Sequence, residues 1–187
     1  MFRSVTMLVG LLALASACSA GHVQLQTQRN RSTYDFLNFT TYHEGRDTKV
    51  VVYGNPFAMD RSAFARAVTD TMQGANFGRP TNFTTTPGPS AERNLWVVMA
   101  FNADVGPYAL CGGGPVETRV RRDVLTLTAA WCFDGRQDSL VTAAVGPAAG
   151  VNDPRFRALV RQTVLNLIVP DTRFGRERDR DRNRRHR

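Results

Sequence analysis

The sequence predicts an α+β fold: a two-layer sandwich whose mainly antiparallel sheet carries two helices on one face, in the order β-α-β-β-β-α. Three observations lead there. Val124–Phe133 alternates strictly, with Leu125, Leu127, Ala129 and Trp131 on one side and Thr126, Thr128, Ala130 and Cys132 on the other. That is the period-two signature of a half-buried strand, and Asp134-Gly135 follows it as a turn pair. Two segments with apolar residues at helical spacing, each behind an aspartate cap, stand apart from this hairpin along the chain.

Taken in order, Leu37 and Phe39 alternate with Asn38 and Thr40, the pattern of a short edge strand. Thr48–Gly54 holds Val50-Val51-Val52-Tyr53 ahead of Gly54-Asn55-Pro56 and reads as a buried strand closed by turn residues. Asp60 then caps a helix running to about Gln73, with Phe64, Ala67, Val68, Thr71 and Met72 on one face and Gly74 as its stop. Asn76–Ser90, rich in Gly, Pro and Thr, is a loop, and Phe77 and Phe83 are placed either over the core or outward toward an apolar or glycan partner. Leu95–Phe101 is apolar throughout, as in a strand covered on both sides. After the 124–133 strand, a connection wider than two residues or a bulge leads to a returning strand at Leu140–Val145. Asp153-Pro154 opens the last helix, whose stripe of Phe156, Leu159, Val160, Val164, Leu167 and Ile168 faces the core until Pro170 ends it.

The beginning of the chain carries the compartment signal. One cation, Arg3, precedes the apolar run Val5–Ala15 and the small residues Ala15-Ser16-Ala17 before Cys18. This is the layout of a secretory signal, and the run is shorter than the roughly 20 residues that span a bilayer. Small residues directly before a cysteine resemble the lipobox of bacterial lipoproteins. The resemblance covers residues 1–18 and implies that Cys18 becomes the lipidated first residue of the mature chain. Ser19 in the next position resembles lipoproteins directed to the outer membrane. Ala15-x-Ala17 also suits an ordinary signal peptidase, which would release a soluble secreted protein. The domain reading is a signal peptide at 1–17, a flexible polar tether at 18–33, one α+β domain at 34–170 and a disordered Arg-rich tail at 171–187.

With Cys18 assigned to lipidation, Cys111 and Cys132 remain, and two thiols in an exported domain pair in an oxidising compartment. The rival reading is an envelope hydrolase acting on glycan or peptide. It would use Cys111, with the backbone amides of Gly112–Gly114 as an oxyanion site, or an acidic pair from Asp123, Asp134 and Asp138. His22, His43 and Glu44 stand at no recognisable spacing to serve it. Surface aspartates beside turns are usually turn formers. The histidines and cysteines lack the paired spacing of a metal site, and no cofactor motif is present, so neither metal nor cofactor is expected.

The net charge of +8 is concentrated at the end: residues 173–187 hold eight arginines against Glu177, Asp179 and Asp181, which is +5 of the total. Lys49 is the only lysine, a preference that reads as base composition rather than chemistry. Arg182, Arg184, Arg185 and Arg187 form the purely cationic cluster of the tail. Export removes nucleic acid as its partner, so anionic lipid or acidic glycan is the expected surface, beside a purely solubilising role. Sequons at Asn30, Asn38 and Asn82 would matter only in a eukaryotic secretory route. The functional expectation is a lipid-anchored envelope protein, facing the periplasm from the outer membrane, that engages an envelope partner as a non-enzymatic interaction or assembly module.

Overall fold

The computed structural model describes residues 22–29, 34–106 and 109–170. Its elements are β1 (Gln24–Arg29), α1 (Phe36–His43), β2 (Asp47–Tyr53), α2 (Arg61–Met72), β3 (Asn82–Thr84), β4 (Leu95–Phe101), β5 (Leu125–Phe133), β6 (Arg136–Val145) and α3 (Pro154–Leu167). One six-stranded sheet runs in the order β1-β6-β5-β4-β2-β3. β1, β6, β5 and β4 pair antiparallel, whereas β2 lies parallel to both β4 and β3. The parallel pairs follow from connectivity, because α2 lies between β2 and its neighbours and carries the chain back to the starting edge. The α+β sandwich is therefore present, with three helices where two were expected.

The two capped helices form as the sequence indicates. The Asp60 side chain accepts the Ala63 amide hydrogen at 2.9 Å, and the Asp153 side chain accepts that of Arg155 at 2.9 Å. Each cap satisfies an amide that the first turn leaves without an intrahelical partner. Every residue of the predicted α3 stripe is buried. Phe64, Phe101 and Phe156 pack together, with ring centroids 5.1 Å apart for Phe64–Phe101 and 5.8 Å for Phe101–Phe156. Such aromatic contacts add to the burial of area that fixes these helices on the sheet.

Four expectations need correction. The 36–43 segment is helix α1, not a strand. Asp35 caps it by accepting the Leu37 amide at 2.8 Å, and the buried pair Phe39 and His43 has i, i+4 spacing, which four alternating residues cannot distinguish from a strand. The 18–33 tether contains β1, in register with Ser139–Ala144 of β6. Gln24 to Gln28 are all exposed, so this strand is held by its backbone ladder and leaves no apolar pattern. The 76–90 loop contains β3, whose Phe83 is buried against the core while Phe77 stays exposed. The β5–β6 connection is a two-residue turn, with Asp134 at φ 48° and Gly135 at φ 73°, the left-handed pair that suits a tight hairpin. The expected irregularity sits one step away, between Trp131 and Cys132.

The sheet's two faces are covered differently. Helices cover the face formed by Val97, Met99, Leu127, Ala129, Trp131, Val141 and Ala143. On the opposite face, Val98, Ala100, Ala130, Cys132 and Leu140 cluster with Leu110 and Cys111 from the β4–β5 connection. Thr126 and Thr128, on the same face beyond this cluster, are half-buried.

Candidate functional site

The expected site residues fall into three groups. Cys18 and the tail residues Arg182, Arg184, Arg185 and Arg187 lie outside the described residues. Cys111 and Cys132 form a disulfide, with Cα atoms 5.5 Å apart. The alternation of β5 places Cys132 on the face away from Trp131, and the glycine-rich connection brings Cys111 down onto it. Both sulfurs are buried, at 3% and 0% residue exposure, so Cys111 is a cross-link rather than a nucleophile.

The acidic candidates are dispersed. Asp123 precedes β5 and Asp134 follows it, so the strand's nine residues separate them by about 30 Å. Asp134 occupies the hairpin turn, and Asp138 is buried at the irregularity in β6. The Glu44 side chain accepts the Arg79 amide hydrogen at 3.1 Å, tying the end of α1 to the following loop. Two carboxylates flanking one bond, as hydrolysis of a glycan requires, are not assembled by Asp123 and Asp134.

His43 does belong to a built polar arrangement, one that sequence reasoning missed. It is fully buried, with Nε2 accepting from Trp131 Nε1 at 3.3 Å and Nδ1 lying 2.8 Å from Thr48 Oγ1. Thr48 Oγ1 in turn lies 2.7 Å from Thr81 Oγ1, which donates to the Arg46 carbonyl at 2.9 Å. Because indole N–H can only donate, Nε2 is the acceptor and the proton sits on Nδ1. The chain then has one sense: Trp131 to His43, His43 to Thr48, Thr48 to Thr81, Thr81 to the backbone. Burial, with a smaller contribution from the Arg46 charge, lowers the His43 pKa to about 4, which keeps the ring neutral. Every member is satisfied, so the arrangement fastens α1 and β3 to the sheet and presents no free group to a substrate. The sequence signal was faint: a lone histidine four residues after a phenylalanine in a segment read as a strand.

A shallow cleft of about 320 Å³ opens between α2 and α3, lined by Asp70, Thr71, Asn152, Arg157 and Arg161 among others. Arg157 donates to the Asn152 side chain at 3.1 Å and Arg161 to the Gln73 carbonyl at 3.2 Å, so both guanidinium groups bridge loop to helix. Among the described residues, no group of three His, Cys, Asp or Glu side chains could hold a metal ion, and no helix is long and apolar enough to cross a membrane.

No protein-family model and no curated protein matches the chain. Among solved structures, it is similar to two crystal forms of the PelC dodecamer from Paraburkholderia phytofirmans. Both share 10% sequence identity with it, cover 80% of this chain and 100% of their own, and give TM-scores of 0.42 and 0.45.

Proposed function

We propose that this protein is a lipid-anchored component of the bacterial cell envelope, held in the outer membrane facing the periplasm by acylated Cys18, and that it works by engaging an envelope partner rather than by catalysis. The observation that carries this reading is the conjunction of an export-type first segment with a domain whose two other cysteines are bonded to each other. Structural disulfides persist in oxidising compartments and are rare in the bacterial cytosol. Attachment also has the right magnitude. Each buried methylene contributes about 0.8 kcal/mol, so one acyl chain is marginal while several hold firmly.

The interaction reading is supported by how the reactive residues are used: Cys111 is cross-linked and His43 is committed to the core. Arg182, Arg184, Arg185 and Arg187 serve as a secondary contact to anionic lipid or glycan. Metabolic labelling with a fatty acid tests it, with wild type set against Cys18→Ala. Label confined to wild type is the expected result, and equal labelling of the two would remove the anchor.

A further inference from the structure

The point where the chain enters the folded body fixes which end of the sheet faces the anchoring surface. Val23 is buried at 4% exposure, and Gln24 opens β1 beside Ala144, near the end of β6. Ala144 pairs in turn with Thr126, at the start of β5. The Asn102 amide donates to the Thr126 carbonyl at 2.9 Å, and the Arg119 amide donates to the Asn102 carbonyl at 2.9 Å. Gln24, Ala144, Thr126, Asn102 and Arg119 thus form one row across one end of the sheet, about 19 Å wide at strand spacing. Six Cα–Cα steps separate Cys18 from Gln24, so Cys18 reaches at most about 22 Å from this row.

The same row carries the segment Arg119-Val120-Arg121-Arg122. Val120 is 89% exposed, far more than any other large apolar side chain of the described residues. Arg119 pairs with Asp104 at 2.6 Å. Arg121 and Arg122 are exposed and in no ion pair among the described residues, with Asp123 and Glu117 the carboxylates of their own segment. An exposed apolar side chain followed by two arginines outside any ion pair is an arrangement that seats against lipid headgroups, the cations on phosphate and the apolar tip below them.

We infer that Val120, Arg121 and Arg122 form a second membrane contact, seated on the anionic leaflet that holds the Cys18 acyl chains. This rests on the anchor proposed above. Two contacts fix orientation as well as attachment. The sheet stands on this end, and α3 carries the chain about 21 Å away from the surface to Pro170, where the Arg-rich tail begins.

The test uses the acylated full-length chain in phosphatidylethanolamine vesicles containing phosphatidylglycerol, with a photoreactive residue at Val120 or, at the opposite end of the sheet, at exposed Arg136. Phospholipid adducts at position 120 should exceed those at 136 by on the order of tenfold. Combining Arg121→Glu with Arg122→Glu should lower the adduct at 120 on the order of tenfold, by a loss confined to vesicles with anionic lipid. Near- and far-UV circular dichroism spectra that match wild type in each variant exclude unfolding as the cause. Equal adducts at both positions, or no response to the charge reversal, in protein whose Cys18 carries acyl chains would overturn the second contact. Cys18 without acyl chains would overturn the anchor reading and this orientation together.

Discussion

The two faces of the sheet are stabilised by different physics. The helix face is apolar burial on a large scale, with Phe39, Phe64, Phe101, Trp131 and Phe156 all fully buried beneath α1, α2 and α3. Among the described residues, no helix covers the loop face. Its cluster of Val98, Ala100, Ala130 and Leu140 is closed by a connection that contributes Leu110 and Cys111, with one covalent bond to hold it. A helix brings its own backbone hydrogen bonds to the layer it forms, whereas an irregular segment loses more entropy on ordering and gains from a cross-link. The helix face should therefore respond to cavities and to acid, the loop face to reductant.

Cutting into the helix face has the largest expected effect. Phe156→Ala removes the ring that contacts Phe57, Phe64 and Phe101, at a cost of about 3–5 kcal/mol read from urea midpoints. Against a typical stability of roughly 5–15 kcal/mol, that is a substantial share of the whole.

Acid comes next, through His43. Its pKa is about 4 in the folded protein against 6.5 for the free side chain, so the unfolded chain takes up the proton first. The neutral ring's contribution is complete above pH 6.5 and is lost as pH falls from there through about 4, a difference of about 3 kcal/mol. Protonation would put a hydrogen on Nε2 facing the Trp131 N–H, donor against donor. His43→Gln should flatten this slope, which unfolding curves at pH 8 and pH 4 would reveal. An equal slope in the variant would place the acid sensitivity elsewhere.

Reduction has the smallest effect on the whole fold and the most local one. Opening the Cys111–Cys132 loop, whose cysteines are 21 residues apart, costs up to about 3 kcal/mol in the chain-entropy model. Hydrogen exchange on reduced protein at neutral pH should lose protection around residues 109–119 while α2 and α3 keep theirs. Equal loss on both faces would mean that they do not unfold separately.

This division also explains what was legible in the amino-acid sequence. α2 and α3 were readable because a capping aspartate and an apolar stripe are local signals, and β5 because its two faces differ in polarity. The disulfide was readable from cysteine count and from the side of β5 on which Cys132 falls. β1 was not, since an edge strand exposed along its length carries its specification in the backbone of β6. α1 was short enough for Leu37 and Phe39 to imitate alternation. The His43 arrangement joins positions 43, 48, 81 and 131, and nothing local at any of them announces the other three.

Intact mass of the protein extracted from membranes examines anchor and cross-link together. The expected species is a chain beginning at Cys18, heavier than its polypeptide by several acyl groups and lighter by the two hydrogens of one disulfide. A species retaining Met1, with three free thiols and no acyl mass, would contradict it.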